Sequence, residues 1–444
     1  MNNPVKYYSG FNKPELCLGI GKIGYLHILW MNCRLAVALI LPVFALAVST
    51  AQAAPVFTLQ QLLDSAMQQN PAIAISRAQE DAAHASVTTA KSFANPEIDA
   101  GMGPTRFRTV NQSDSRNWGV ALSQPLEFSD VRTARREMAE SNVKAVEFNS
   151  ELTRIELRSR VKNVFYEVLQ RQAVVKLVED DRNLLKQIRE RVKLRADVGE
   201  SPRYELIKAD TEALAAERDY QSAIVRVTEA KAYLRGLIGN AMPADFELAG
   251  ELPLVDYLPD LVTLRDKIDQ SPLLQQMRAQ KETAQTKLRL EESLRNPGVT
   301  LKAGIEQDPD LTSLRFGLAI PLPLWNQRQG QIAEASANLM QAQAHVSERE
   351  LGLQRDVESS YQRYLIAQAQ VAAFENGLLS QAESVLKVAE AAYRFGERGI
   401  LDYLDAQRTY RSVRKDYLAA RYDYINAMLE IERLLGTELL EVKS

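Results

Sequence analysis

The 444-residue chain has only two cysteines, Cys17 and Cys33, both ahead of residue 54. Beyond that point no disulfide, thiol nucleophile or thiolate-held metal is available. Histidine is almost as scarce. His84 and His345 lie far apart in helical stretches, so each reads as an ordinary helix position and not as a metal ligand. Twenty glycines and 17 prolines are few for this length, which leaves most of the chain free for regular structure, and 7% aromatics argue against a large globular core. The formal net charge of -3 removes the electrostatic case for nucleic acid. No phosphate-binding glycine loop and no G-x-S-x-G elbow is present, so neither an enzyme nor a cofactor has residues to stand on.

Long hydrophobic runs are also missing, with one exception near the start. "MNCRLAVALILPVFALAVSTAQAA" has Arg34, an apolar stretch from Leu35 to Val48 and a small-x-small site at Ala51-Gln52-Ala53. It reads as a secretory signal starting at Met31, so residues 1–53 are expected to be an upstream extension and a cleaved signal peptide. No cysteine sits at the cleavage point to carry a lipid. After Ala53 there is no apolar run of about 18 residues, so an exported chain of this kind enters a membrane only as a β-barrel.

What the sequence does contain, it contains twice. "ANPEIDAGMG" is echoed by "RNPGVTLKAG", with Pro96 and Pro297 201 apart. "QPLEFSDVR" is echoed by "IPLPLWNQR", with Pro125 and Pro321 196 apart. "GESPRYELIKA" is echoed by "GERGILDYLDA", with Gly199 and Gly396 197 apart, and "LIG" at Leu237 by "LLG" at Leu434, again 197 apart. Four echoes in one order mark an internal duplication. The drop between the first two offsets gives the first copy a loop five residues longer (201 − 196). The expected units are a first repeat over 54–240, an acidic, proline-rich linker over 241–260 and a second repeat over 261–444.

Both copies follow one plan. A helical segment opens each, Leu59 to Phe93 and Leu261 to Leu294. Two short segments of period two follow, within 95–126 and 297–322. In the second copy Val299, Leu301, Ala303 and Ile305 alternate with Thr300, Lys302, Gly304 and Glu306, then Leu314, Phe316 and Leu318 with Arg315, Gly317 and Ala319. Such strands have one apolar and one polar face. A long helix comes next, 131–198 without glycine or proline and 331–395 with only Gly352 and Gly377. Val161, Val164, Val168, Val175, Val178, Leu185, Ile188 and Val192 trace a coiled-coil seam along the first. After a glycine turn a shorter helix runs back, 203–238 and 400–435.

Four strands cannot close a membrane barrel, which needs about eight or more, and open strand edges are not tolerated in lipid. The exported chain is therefore expected to share its barrel with copies of itself. Three chains supply 3 × 4 = 12 strands.

The duplicated helix–hairpin–helix plan, the "NP" before each hairpin and "FGERGILDYLDAQRTY" at the second turn resemble the TolC-like outer-membrane efflux family over nearly all of the chain beyond the signal. "IPLPLWNQRQGQI" resembles its CzcC-like branch, which serves heavy-metal efflux. The resemblance implies a mainly α fold with a β portion. As a homotrimer it forms a twelve-strand β-barrel in outer-membrane lipid, continued by a long periplasmic α-helical barrel. It also implies a passive exit duct for metal ions or small toxic molecules, docked to a periplasmic adaptor and to an inner-membrane transporter of the RND type. The alternative within the same resemblance is the outer-membrane component of a type I protein-secretion system.

Asp402 and Asp405, at i and i+3, share a face near the start of a helix. Taken alone, they are acids favoured by the helix dipole, by about 0.3–1 kcal/mol. The resemblance implies more: both line the periplasmic constriction, while Tyr393 and Arg398 match positions that hold the gate shut against an acidic partner, here Glu205. Pro202 and Tyr204 make the first turn stiffer than the second.

Overall fold

The computed structural model describes residues 55–105, 115–239, 242–253 and 258–439. The signal-peptide expectation over 1–53 and residues 254–257 of the linker lie outside the described residues.

The unit beginning at Val56 is mainly helical with a small β portion. Strand β1 (Val56–Phe57) leads into α1 (Leu59–Gln69) and α2 (Pro71–Lys91), followed by β2 (Glu97–Thr105) and β3 (Ser115–Leu126). Helix α3 (Ser129–Asp197) and helix α4 (Arg203–Ile238) complete the first copy, and β4 (Glu247–Leu248) lies in the linker. The second copy runs α5 (Leu261–Asp266), a 3-10 turn, α6 (Pro272–Ser293), β5 (Val299–Gln307), β6 (Thr312–Ala319), α7 (Gln329–Ala373), a π turn (Phe374–Leu378), α8 (Leu379–Arg394) and α9 (Ile400–Leu435).

The opening segment of each copy is broken, where the sequence reading has one helix. Asn70 and Ser271 both precede a proline and take extended ψ values of 128° and 129°, because the proline ring excludes the helical region for the residue before it. Asn70 then caps α2, its side chain accepting from the Ala72 amide at 2.8 Å. Thr58 and Gln61 form a reciprocal capping box at the start of α1.

Helix α3 has 69 residues, about 100 Å at 1.5 Å each. Of the expected seam residues all are buried except Val175, which is half-buried. The two long helices end alike. Gly199 (φ 80°) and Gly396 (φ 76°) take the left-handed conformation. Glu200 N donates to Arg195 O at 2.8 Å, and Glu397 N to Ala392 O at 2.9 Å. Each is a Schellman stop, for which glycine has no Cβ penalty.

The four long strands form one antiparallel sheet in the order β2–β3–β5–β6. The two hairpins join through β3 and β5, with Val120 opposite Ile305 and Leu122 opposite Ala303. The β2–β3 connection spans nine positions (106–114) and the β5–β6 connection four (308–311), the five-residue difference read from the repeat. The linker is more than a tether. Glu247 and Leu248 pair in parallel with Val56 and Phe57, Phe246 is fully buried and its carbonyl accepts from Lys231 Nζ at 2.6 Å.

One large core, including Leu62, Val161, Leu234, Leu274, Val357 and Met428, ties both copies together midway along the helices. A smaller one, including Leu185, Ile188, Val192, Ile400 and Leu404, sits near the glycine turns. Within the first, Lys162 Nζ meets Glu432 at 2.9 and 3.1 Å, both side chains being less than a tenth exposed.

Candidate channel wall and helical tip

Because side chains alternate across a strand, the register sorts the sheet into two faces. Ile98, Met102, Trp118, Val120, Ile305 and Leu314 share one face by direct or stepwise pairing, and every one of them is exposed. Phe316, on the same face, is 77% exposed. The opposite face carries Asp99, Asn117, Ser123, Lys302, Glu306 and Arg315, interspersed with glycines. Arg315 and Glu306 pair across it at 2.8 Å, and Ser123 donates to Asp99 at 3.3 Å. Nine or so residues per strand is the length a tilted membrane strand needs. The outer edges, β2 and β6, have no strand partner among the described residues. No described helix is long and apolar enough to cross a membrane.

At the far end of the helices, Asp402 stands in the first turn of α9 and Asp405 one turn on, both exposed. The intervening Tyr403 and Leu404 are buried in the tip core. That alternation fixes the carboxylates on the open face. Arg398 donates to Asp402 at 3.3 Å within the same chain. Glu205 is half-buried in the first turn of α4 and accepts from Ser201 Oγ at 2.9 Å. Its Oε1 would lie 3.7 Å from a Cβ placed on Gly399, so the two turns adjoin. Tyr393 is buried, stacked on Tyr403 at 5.9 Å, with the Arg195 guanidinium 5.2 Å over its ring. Its hydroxyl has no hydrogen-bond partner among the described residues. Within one chain, then, the structure brings Arg398 to Asp402 and Glu205 to Gly399, while Tyr393 packs on Arg195 and Tyr403.

Two polar contacts between the copies escape a sequence reading. Gln407 Nε2 donates to Asp181 Oδ1 at 2.9 Å, from α9 to α3. Asp181 is buried, which pushes its carboxyl up to about 6 against the opposing pull of Arg411, Arg414 and the Gln407 bond. The remaining oxygens of this pair, Asp181 Oδ2 and Gln407 Oε1, are unpartnered among the described residues. Nearby, Arg408 Nε donates to the buried Glu212 at 3.1 Å. No motif marks either pair; the only trace in the sequence is a charged residue interrupting an otherwise apolar seam. His84 and His345 are exposed and pair with Glu147 at 3.8 Å and Glu348 at 3.2 Å. Among the described residues no group of three or more potential metal ligands comes together.

The sequence profile described as "Outer membrane efflux protein" matches residues 62–240 and 263–437. The chain is 26% identical over 420 residues to the cobalt-zinc-cadmium resistance protein CzcC of Cupriavidus metallidurans, covering 92% of this chain and 99% of that one. It is 24% identical over 407 residues to the outer membrane protein TolC of Vibrio cholerae, covering 85% and 90%. Among solved structures, CusC aligns with a TM-score of 0.73 at 17% identity over 88% of this chain and 96% of that one. The outer membrane protein VceC of Vibrio cholerae aligns with a TM-score of 0.72 at 20% identity over 86% and 97%.

Proposed function

The chain belongs to the outer membrane efflux protein family, and on that premise we propose that it works as a homotrimeric exit duct for divalent metal ions. As a member it is the outer-membrane channel of an efflux pump, reaching from the membrane into the periplasm, and such channels are ducts and not enzymes. The observation that carries the trimer is the four-stranded sheet with a bare apolar face and two edges unpaired among the described residues. Lipid covers that face, but only further strands satisfy the edges. Two chains would give eight strands, whose lumen side chains fill; three are the smallest number that leaves a passage.

The helices support the same closure. Met340, Leu351 and Ile366 leave an exposed apolar face along α7, at spacings of 11 and 15. Tyr204, Ile207, Leu214 and Val225 leave α4 with a bare apolar flank of its own. Two different patches on one chain suit the head-to-tail contacts of a ring. In that ring Asp402 and Asp405 of each chain form a carboxylate girdle at the periplasmic mouth, and Arg398 and Tyr393 hold it narrow against the turn around Glu205. A conduit needs no resident cofactor. Energy comes from an inner-membrane transporter, of the RND type, through a periplasmic adaptor. CzcC is named for cobalt, zinc and cadmium resistance; the metal cargo assigned here rests on that likeness, and no observation favours the secretion alternative.

Deleting the gene in its host and titrating growth against cobalt, zinc and cadmium salts, beside hydrophobic toxicants, tests the cargo. Sensitisation to the metals, restored by the intact gene, is expected. Sensitisation to the organic compounds alone would contradict a metal duct.

A further inference from the structure

Between matched landmarks the second long helix carries one residue more than the first (Leu353 to Gly396, 43 steps, against Leu157 to Gly199, 42), and three observations locate it. Residues buried at matching positions keep the 196-residue offset through Leu157 and Leu353, Val161 and Val357, and Val168 and Tyr364. At Leu185 and Ala382, and at Gly199 and Gly396, the offset is 197. Helix α3 runs unbroken through this level, whereas the second copy has the π turn at Phe374–Leu378, in which Gly377 adopts φ 155°, ψ -29°. The seam itself slips there. Leu353, Val357, Ser360, Tyr364, Ala367 and Val371 are buried at spacings 4, 3, 4, 3 and 4, a rhythm that continues to Gln381, Val385, Val388 and Ala392. The residues facing the core are instead Ala382, Leu386, Ala389 and Tyr393, each one later.

The skipped stripe is itself apolar at its centre, with Val385 55% and Val388 69% exposed. The occupied stripe leaves the Tyr393 hydroxyl buried without a partner among the described residues, a cost the skipped stripe does not carry. A second place for the extra residue also exists. The tip turn below α8 has Gly396 and Gly399, where the first copy has Gly199 and Pro202 (399 − 202 = 197).

We propose that α8 is a two-register helix whose surplus residue resides either in the Gly377 π turn or in the Gly396–Gly399 turn. Its transfer rotates α8 by about 100°, one residue's turn. The rotation exchanges the Leu386–Ala389–Tyr393 stripe for Val385 and Val388 against α9, and it withdraws Tyr393 from beneath Arg195. Helix α3, which has no surplus residue, is the fixed partner. The proposal concerns this chain's own helices and stands whatever the cargo.

Single cysteines at Val388 and Ala389 report the register, in a background of Cys17→Ser and Cys33→Ser. The purified full chain in detergent is reacted with a maleimide and the ratio of the two labelling rates is read, Val388→Cys over Ala389→Cys. Replacing Gly377 by Ala closes φ 155° to the backbone and sends the surplus residue to the tip, so the ratio should fall by about tenfold as the minor register becomes the major one. Deleting Gly377 removes the surplus residue. Gly399→Pro closes the tip to it, and the Gly399 φ of -74° already suits proline. Both should raise the ratio to a common ceiling. A ratio within about twofold of the parent in Gly377→Ala would make the π turn a static accommodation. Should Gly377→Ala fail to assemble, the deletion and Gly399→Pro decide: a ratio that neither moves overturns the proposal.

Discussion

Asp181→Asn tests whether the buried contact between the copies is proton-dependent. The carboxyl rises from 3.8 to about 6 on folding, first through burial. Below pH 3.8 the group is protonated folded or unfolded and contributes nothing to the pH dependence. Between 3.8 and about 6 the folded chain holds the extra proton, and stability falls as pH rises. Above about 6 the full penalty applies, roughly 2 pH units at 1.36 kcal/mol each, or about 3 kcal/mol. Asparagine keeps the shape and removes the charge. Its Oδ1 can accept from Gln407 Nε2 and its Nδ2 can donate to Gln407 Oε1, so one of the oxygens unpartnered among the described residues gains a donor and the other, Asp181 Oδ2, is replaced by it. With an unfolding entropy of about 2.1 cal/mol/K per residue over roughly 390 residues, 3 kcal/mol is about 4 °C in Tm. Thermal melts of the purified protein at pH 4, 5, 6 and 7.5 should show the variant gaining about 4 °C at pH 7.5 and almost nothing at pH 4. An equal shift at every pH, or a loss at pH 7.5, would refute the reasoning.

Three further outcomes are expected. Asp402→Asn with Asp405→Asn should weaken cation preference and block by polyvalent cations in planar bilayers while leaving pore width nearly unchanged, because the carboxylates stand on the open face of α9; unchanged selectivity and block would leave them as helix-start charges. Arg398→Ser with Glu205→Ala should raise single-channel conductance and keep the cation preference, since the exposed Arg398–Asp402 pair is worth no more than about 1 kcal/mol and Arg398 is free to serve as a gate contact. Lys162→Met should cost about 3–5 kcal/mol in a chemical denaturation series by stranding buried Glu432, and Lys162→Met with Glu432→Leu should recover most of it.

Much of the architecture was legible because duplication repeats its own landmarks. The glycine stops, the strands and the α3 seam are set by local geometry and period, so each can be read from a short window. The β3–β5 pairing was not, since nothing in either hairpin says which edge meets the other copy. The β1–β4 contact was hidden for another reason: two residues per strand give no period. The breaks at Asn70 and Ser271 are marked only by the prolines that follow them, a local signal set against a longer helical pattern running through both. At the tip, the exposure of Asp402 and Asp405 follows from the helix period. The stacking of Tyr393 on Tyr403 under Arg195 depends on three segments meeting. The one-residue step from offset 196 to 197 was in the sequence throughout, but only the π turn at Gly377 gives it a location.

The number of chains in the detergent-extracted particle bears most directly on a channel wall built from several copies. Native mass spectrometry, or light scattering corrected for bound detergent, should return three chains of this protein and no other component. A stable single chain that kept its β-strand signal in detergent would contradict the shared barrel, because the β2 and β6 edges would then be satisfied without a partner.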